Sequence, residues 1–471
     1  MTLSEPSNTG PRCERMGDFM HTVLHVLANS APDVNGYATR THGLLKASSA
    51  LEGVRIAAIT SPWYAAKDSM VEPLIKDGIT YHRCPHPSRL PTTEGRGMAW
   101  VAARGHRHTV ATASSQHRQP KWKSALRLLA RPFSPAWSWI EERIQFKHFT
   151  QAIVNTAREE QATVLHAHVP YRVGIPALRA ARLLGVPFVY EMRGLWEDSA
   201  VAAGRWSSNG LAYRRFRRME NKVLRRADAV VCISETLREE AIGRGVERDR
   251  IFVIPNAVSK SQIVERPTHE LYEHVSKRLL RSESTTVVGY IGSLRSLEGV
   301  DLTAEAVAQL HRSGQDVRLF VLSSEPGQPQ LTALCERLDL RDTSVVAGPV
   351  PHEDVGPFYD LIDLFVVSRP DKRVTRLVTP IKPFEAMLHG KTVVVSNLPA
   401  LEEIVEDGVT GLVYNAEDAT SLAAVLKRCI EQKAFADELG KAARQWVLEH
   451  RTWNRVVEAL PEVYSKAQRG R

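Results

Sequence analysis

VTPIKPFEAMLHGKTVVVSNLPALEEIVEDGVTGLVY, residues 378–414, is the stretch that decides the fold, because it alternates helices with a buried strand. Pro383 suits the first turn of a helix, where its missing N–H would be unpaired in any case. Residues 384–389 continue that helix, Gly390 is a natural C-terminal stop, and residues 392–395 form a short apolar strand. An acidic helix follows, so the stretch predicts helix and strand in alternation.

The same alternation runs along both halves of the chain. The first half begins with HTVLHVL at His21, and further strands are predicted at 55–60, 163–167, 187–191 and 228–234, with helices at 40–49, 177–184 and 235–244 between them. In the second half the strands lie in TVVGYIGSL, VRLFVLSS, TSVVAG, LFVVS and TVVVS, and a helix is expected at 301–312. This pattern is typical of parallel, doubly wound sheets. We therefore predict an α/β protein with two Rossmann-like domains that face a central cleft at the carboxyl ends of both sheets.

Composition shifts along the chain predict the domain boundaries. We expect a disordered tail at 1–18, an N-terminal domain at 19–258, a polar linker without periodicity at 259–284, a C-terminal domain at 285–434 and a helical segment at 435–471. A chain of 471 residues is long for a single core, which agrees with two domains.

Charge and cysteine content limit the classes of function. A net charge of +9 favours an acidic partner and leaves open a phosphorylated ligand, an anionic membrane surface or nucleic acid. The five cysteines are odd in number and show no CxxC spacing, so neither a disulfide framework nor a metal site is expected. No apolar run reaches the roughly 18–20 residues that span a bilayer, and the N-terminus lacks the apolar segment of a signal peptide. We expect a cytoplasmic protein, soluble or peripheral at the inner face of the plasma membrane.

One segment departs from the α/β pattern. Residues 95–140 contain eight lysines and arginines, four tryptophans and no acidic residue. A solvated basic loop beside a packed helix explains them as well as an interfacial element that attracts anionic lipid, at about 1 kcal/mol per basic residue near the surface. A nucleic-acid arm ranks lowest because no nucleic-acid-binding motif accompanies the segment.

Glu385 is the first candidate for a functional side chain. A carboxylate in the first turn of a helix gains about 0.3–1 kcal/mol from the helix dipole, so capping alone could explain it. The functional alternative is that it accepts hydrogen bonds from a vicinal diol such as a ribose. Gly292 and the loop before Glu385 would gather backbone N–H groups that suit phosphate, which favours the functional alternative.

The motifs taken together resemble a known family. PIKPFEAMLHGKTVVVS followed by EEIVEDGVTGLVY, together with GYIGSLRSLEG, RRADAVVCIS and VIPNAV, is similar to retaining glycosyltransferases of family four, which have the GT-B fold. LHAHVP, VYEMRGLWEDS and VTPIKPFEAM resemble a subgroup linked to exosortase-associated or surface-polysaccharide loci. The resemblance runs from about residue 21 to residue 453.

The resemblance implies roles for particular residues. Glu385 matches the glutamate that holds the ribose of a nucleotide-sugar donor, Gly36 a glycine whose backbone approaches the donor, and His168 a loop histidine at the donor sugar. Val350 would lie beside the base. With them we assign donor binding to Gly292, Arg376, Thr379 and Lys382. Such enzymes are similar in using no metal and no further cofactor.

Three positions depart from the family pattern. A second glutamate is replaced by Leu377, and an arginine and a lysine that bind the diphosphate are replaced by Ser293 and Glu298. Charge-assisted hydrogen bonds from other bases could substitute for them. We assign this catalytic role to Arg295 and Lys382, together with His168.

Two further residues are candidates for the acceptor side. Glu191 is the last residue of the strand PFVYE and Arg193 lies just after it, at the carboxyl edge of the first sheet. They could pair structurally, or they could orient an acceptor hydroxyl. His166 and His168 are two apart and share one face if the strand continues; His168 is expected in the cleft and His166 in the core.

The sequence thus predicts a metal-independent, retaining glycosyltransferase that moves a sugar from a nucleotide-sugar donor to a carbohydrate or lipid-linked acceptor. Residues 95–140 would hold it at an anionic membrane surface, and nucleic acid is not expected as a partner. Two alternatives stay open: a nucleotide-sugar epimerase on the same fold, and a catalytically silent scaffold, which Leu377, Ser293 and Glu298 favour.

Overall fold

The computed structural model describes residues 21–33, 35–64, 72–86, 134–263, 269–279, 282, 284–324 and 326–470. The expected tail and most of the basic segment 95–140 lie outside these residues. Within them, no helix combines the length and hydropathy that crossing a membrane requires.

The N-terminal domain is built on an eight-stranded sheet. Its order is β3-β4-β2-β1-β5-β6-β7-β8, and all neighbours are parallel except β3 and β4. The strands are β1 His21–Leu27, β2 Val54–Thr60, β3 Leu74–Lys76, β4 Ile79–Arg83, β5 Val164–His168, β6 Phe188–Met192, β7 Ala229–Cys232 and β8 Ile251–Val253. The helices are α1 Gly36–Ser48, α2 Ser134–Glu159, α3 Tyr171–Leu184, α4 Trp196–Ala202, α5 Leu211–Leu224 and α6 Glu235–Gly243.

The C-terminal domain repeats the design with six parallel strands in the order β11-β10-β9-β12-β13-β14. These are β9 Thr286–Ile291, β10 Val317–Leu322, β11 Ser344–Ala347, β12 Leu364–Val367, β13 Thr392–Ser396 and β14 Leu412–Tyr414. Its helices are α7 Leu271–Leu279, α8 Val300–Arg312, α9 Gln328–Arg337, α10 Gly356–Asp360, α11 Arg373–Leu377, α12 Lys382–Leu388, α13 Pro399–Glu402, α14 Ala419–Glu431 and α15 Lys433–His450. Two parallel doubly wound sheets confirm the predicted fold class.

Apolar content and helix termini account for the elements. The central strands are almost entirely buried and mostly apolar, as expected where helices cover both faces of a parallel sheet. Helix α1 starts where Asn35 Oδ1 accepts the Ala38 N–H at 3.0 Å. Helix α8 follows Gly299, whose φ of 65° and close approach to Ser368 O, 1.9 Å from an added Cβ, leave room only for glycine.

Two segments differ from their sequence description. The expected linker 259–284 contains α7, and Val275 and Leu279 of that helix are buried in the core of the C-terminal domain. The last part of the C-terminal helical segment packs on the N-terminal domain instead. Its helices α16 Trp453–Val456 and α17 Leu460–Arg469 return to the N-terminal sheet. The apolar residues 271, 275 and 279 stand at helical spacing, so the periodicity signal for α7 was present in the sequence but short.

The two domains meet through polar contacts beside the cleft. Asn256 Nδ2 donates to Thr379 O at 2.9 Å, and the hydroxyl of Thr236 donates to Leu377 O at 3.1 Å. Arg373 of α11 binds Glu240 of α6 at 2.6 Å. These contacts bring the carboxyl ends of both sheets together.

Candidate functional site

A cleft of about 740 Å³ lies between the carboxyl ends of the two sheets. Its walls come from both domains: the loop after β1 and the start of α1 on one side, the loops after β9 and β12 and the start of α12 on the other. Doubly wound sheets place ligands at this position, because the loops there are free of the hydrogen-bond ladder.

Glu385 lies in the cleft wall in the first turn of α12 and is 4% exposed. Tyr359 Oη donates to its Oε2 at 2.7 Å, and Lys382 Nζ donates to the same oxygen at 3.0 Å. Burial acts to raise the pKa of Glu385, but Lys382 and the two hydrogen bonds hold that pKa below its usual value. Oε1 has no donor among the described residues, so the carboxylate can still accept a hydrogen bond from a ligand hydroxyl.

Gly36 faces the cleft from the opposite domain. It is the first residue of α1, its backbone does not require a left-handed conformation, and a Cβ built on it meets no atom within 4 Å. Neither backbone strain nor packing within the protein therefore calls for glycine here. An empty space above a helix start in the cleft is suited to the close approach of an anionic ligand.

Glu298 organises the cations of the C-terminal wall. It is 4% exposed, and its Oε2 accepts from Arg369 Nη2 at 3.0 Å and Nε at 3.1 Å, while its Oε1 accepts from Arg295 Nη2 at 2.9 Å. Burial would raise the pKa of Glu298, but the two guanidinium groups lower it below its usual value. Both arginines line the cleft, so the acidic residue at a position where the family has a lysine holds two bases in place.

A second buried ion pair supports the N-terminal wall. Glu191 is fully buried, and its Oε1 accepts from Arg40 Nη2 at 2.9 Å and from Arg193 Nε at 2.7 Å. Burial would raise the pKa of Glu191, but Arg193 and Arg40 hold it well below its usual range. Arg40 and Arg193 line the cleft, whereas Glu191 lies behind them.

Three neutral histidines pack against this ion pair. A guanidinium can only donate, so the contact from Arg193 makes His168 Nδ1 an acceptor. His168 Nε2–H therefore donates to His25 Nδ1 at 2.8 Å, and His166 stacks on His168 at 4.7 Å between ring centroids. Burial lowers the pKa of all three imidazoles, that of His25 and His168 strongly.

The ring nitrogens of these three histidines lie within 4.8 Å of one another and could serve as metal ligands. The two arginines and one carboxylate beside them already give the cluster a net positive charge. A divalent cation would add further buried positive charge without a counterion, which is costly. The cluster is better suited to holding Arg193 and Glu191 in position.

Most of the predicted site residues meet in the cleft. Its lining includes Gly36, Arg193, Gly292, Arg295, Val350, Thr379, Lys382 and Glu385.

Three placements correct the sequence expectations. His168 was expected in the cleft but is fully buried, because β5 continues through it and turns it, like His166, toward the core. Glu191, a candidate for the acceptor side, is fully buried in β6 behind Arg40 and Arg193 and does not line the cleft. Arg376 does not line the cleft; it lies on the exposed side of α11 and binds Asp371 at 2.9 Å.

The structure adds residues that the sequence reasoning missed. Arg40 comes four residues after Gly36, so both lie on one face of α1, and that spacing was an available signal. Tyr359, 26 positions before Glu385, gave no such signal because the tertiary fold alone brings it there. Leu377, at the position of the second family glutamate, packs against the core of the N-terminal domain, so an interdomain contact takes the place of a ligand contact.

Comparisons with known proteins agree with this geometry. The Glycosyl transferase 4-like domain family matches residues 96–257, and the Glycosyl transferases group 1 family matches residues 273–446. Alpha-maltose-1-phosphate synthase of Mycolicibacterium smegmatis is 26% identical over 67% of this chain and 81% of that protein. Glycogen synthase of Mycobacterium tuberculosis is 24% identical over 84% of this chain and 87% of that protein. The crystal structure of Anabaena Alr3699/HepE in complex with UDP covers 95% of this chain and 100% of that one, with a TM-score of 0.63 and 16% identity.

The fold and the cleft are those of the GT-B class, in which two Rossmann-like domains enclose the site. With both of its domains matched, the chain belongs to the group 1 glycosyltransferases. It is a glycosyltransferase by its family domains and its named relatives.

Proposed function

We propose that the protein transfers a sugar, with retention of anomeric configuration, from a nucleotide-sugar donor to a carbohydrate or lipid-linked acceptor. The observation that carries the proposal is the cleft itself. It sets a carboxylate with one free oxygen, Glu385, opposite the open helix start at Gly36, with cationic side chains between. Carboxylates suit a ribose diol, and open helix starts and bases suit a diphosphate.

Charge in the cleft favours a departing diphosphate. Arg193, Arg295, Arg369 and Lys382 line the walls. Preorganised donors of this kind stabilise charge that develops in a transition state, and removing one typically costs 10²–10³-fold in rate. We infer that they, rather than a metal, neutralise the leaving group.

In the proposed reaction the acceptor oxygen bonds to the anomeric carbon on the face that the diphosphate leaves. The glycosidic bond to the phosphate breaks, its electron pair stays on the diphosphate, and a diphosphate oxygen takes the acceptor proton. No protein base is then required, and the chain contributes positioning and electrostatic stabilisation. His168 acts through Arg193, which it contacts, rather than by touching substrate.

Related proteins suggest the donor. Structural neighbours have been solved in complex with UDP, UDP-glucose or ADP, and the relatives above are an alpha-maltose-1-phosphate synthase and a glycogen synthase. We infer a nucleoside diphosphate sugar, used in surface-polysaccharide assembly by an enzyme of the exosortase-associated subgroup. We place it at the cytoplasmic face of the plasma membrane.

A transfer assay tests this function. Purified protein is incubated with UDP-, GDP-, ADP- and dTDP-sugars and a membrane-lipid extract, with and without EDTA. We expect lipid-linked sugar to form from one donor, undiminished by EDTA, with the new linkage in the donor's anomeric configuration by NMR. Inverted linkage or loss of activity with EDTA would refute the retaining or the metal-independent part.

A further inference from the structure

Helix α5 presents an exposed basic face that no part of the proposed catalytic site uses. Residues 211–226, LAYRRFRRMENKVLRR, contain seven bases and a single acid, Glu220. That acid is buried on the opposite face, where it accepts from Tyr190 Oη at 2.7 Å, and burial raises its pKa to about 7. The exposed face therefore carries only positive charge.

The seven bases of residues 211–226, five on α5 and two just after it, divide into two sets by their contacts. Arg215 binds Glu142, Arg217 donates to Glu240 at 3.4 Å, and Arg225 donates to Arg244 O at 2.6 Å. The other four are exposed and have no side-chain hydrogen bond or ion pair within the described residues: Arg214, Arg218, Lys222 and Arg226.

Three of these four follow one another at intervals of one helical turn. Arg214, Arg218 and Lys222 stand at positions i, i+4 and i+8 of the helix, so neighbouring members are about 6 Å apart along its axis. Like charges at this spacing destabilise a helix. A row of unpartnered, mutually repelling cations therefore favours an external surface of opposite charge.

Exposed apolar side chains lie beside the row. Leu211 opens α5 and is 84% exposed, and Trp139 of α2 is 52% exposed with its ring centroid 5.6 Å from the Arg215 guanidinium carbon. Ile140 is 49% exposed. Basic residues combined with exposed leucine and tryptophan fit the boundary between lipid headgroups and acyl chains, whereas nucleic acid would leave the aliphatic groups unmatched.

The basic row also lies near the mouth of the cleft. Arg217 on the same helix contacts Glu240, which in turn binds Arg373 of α11. Val374 and Thr375 of α11 line the cleft. The contacts from Arg217 through Glu240 to Arg373 thus connect α5 with the rim of the cleft.

We propose that the exposed face of α5, with Leu211 and Trp139, docks the enzyme on an anionic lipid bilayer. This inference rests on the proposed function, the transfer of a sugar to a lipid-linked acceptor. It deepens that function by assigning the membrane contact to this helix in addition to residues 95–140. Electrostatic attraction brings the row of cations to anionic headgroups, and the two apolar side chains enter the interface.

Vesicle sedimentation tests the proposal with the full chain. The probes are vesicles of phosphatidylcholine alone and of phosphatidylcholine mixed with phosphatidylglycerol. The variant reverses four charges, as Arg214→Glu, Arg218→Glu, Lys222→Glu and Arg226→Glu. A control reverses four exposed bases of the C-terminal domain, as Arg312→Glu, Arg337→Glu, Arg341→Glu and Lys427→Glu.

We expect the wild type and the control to bind only the anionic vesicles, and the α5 variant to bind them at least tenfold more weakly. Equal binding of the α5 variant would overturn the proposal, as would equal binding of the wild type to both vesicles. Tighter binding of the wild type to duplex DNA than to the anionic vesicles would also overturn it. Loss of binding only on neutralising Lys121, Lys123, Arg127 and Arg131 would assign the contact to the other segment.

Nucleotide titration of the same variants separates the two proposals. Unchanged nucleotide affinity in the α5 variant shows that it is folded, so lost vesicle binding then reports on the surface alone. Absence of nucleotide binding in every protein, with vesicle binding intact in the wild type, would contradict the proposed function and leave the docking surface standing.

Discussion

At the scale of single residues, two buried carboxylates of the cleft differ in whether an oxygen remains free to accept a hydrogen bond. Both oxygens of Glu298 are taken by Arg295 and Arg369. Glu385 has both of its protein donors on Oε2, which leaves Oε1 for a ligand. Glu385 can therefore accept a hydrogen bond from a ligand, as we propose, whereas Glu298 positions bases.

Gly36→Ala tests whether a ligand approaches the start of α1. The methyl group meets no protein atom, so the fold is expected to gain up to about 1 kcal/mol from the better helix former. Nucleotide affinity should nevertheless fall, by about tenfold or more. Gly243→Ala is the matched control, since its Cβ is equally free and lies outside the cleft. Unchanged affinity in Gly36→Ala would show that no ligand comes close there.

Arg369→Lys tests the cations that Glu298 holds. Lysine cannot reproduce the two donors that Arg369 directs at one carboxylate oxygen. We expect kcat to fall about 10²-fold, and the free energy of unfolding to fall by about 1–3 kcal/mol because buried Glu298 loses a charge-assisted hydrogen bond. Arg341→Lys, at a base 73% exposed on the same domain, should leave kcat unchanged. A variant with full kcat would remove Arg369 from the reaction.

At the scale of elements, the helix and strand types followed from the sequence, but strand ends did not. β5 and β6 continue one residue beyond their expected ends, and that residue decides whether a side chain lies in a loop or in a buried strand. His168 was misplaced for this reason. The apolar runs identify a strand, whereas its last residue depends on pairing with neighbours, which local sequence does not encode.

The buried histidines at these strand ends predict how stability depends on pH. The pKa values of His25, His166 and His168 are lowered by burial, so below about pH 6.5 the unfolded chain binds protons that the folded chain does not. The contribution of these three histidines to the free energy of unfolding is therefore fully present above about pH 6.5 and is lost as pH decreases. Glu220 has its pKa raised to about 7, so the folded chain binds one proton there that the unfolded chain does not. This single proton opposes the three that the histidines take up on unfolding. Taken together, these four groups make the free energy of unfolding decrease as pH falls from about 6.5 towards 5.

Urea unfolding between pH 7.5 and 5 measures this slope. His25→Asn keeps an acceptor for His168 Nε2–H and should reduce the slope by one proton. His274→Asn, the same substitution at an exposed position, is the matched control. Identical slopes in wild type and His25→Asn would contradict the buried, neutral state of the cluster.

At the scale of the whole molecule, the chain end ties the two domains together. α15 packs in the C-terminal domain, and α17 returns to the N-terminal sheet, where Tyr464 Oη lies 3.2 Å from His166 Nδ1. The sequence predicted a helical segment here, but its partner could not be predicted, since an apolar helix face does not specify which sheet it covers. The same holds for Tyr359 and Glu385, which only the complete fold brings together.

Leu460→Ala tests the contribution of α17 to the N-terminal core. Leu460 is fully buried, so its truncation should cost about 2–5 kcal/mol of the free energy of unfolding. Leu183→Ala, at a leucine 71% exposed, should change it by less than about 0.5 kcal/mol. Equal stability of the two variants by urea unfolding would mean that α17 does not belong to that core.

The central claim, that the cleft between the two domains binds a nucleotide through Glu385, is tested most directly by calorimetric titration. Wild-type protein and Glu385→Ala are each titrated with UDP, GDP, ADP and dTDP. We predict that one nucleotide binds the wild type, and that its affinity falls at least tenfold in the variant because the ribose loses its acceptor. Equal affinity in both proteins, or no binding of any nucleotide to the wild type, would contradict the account.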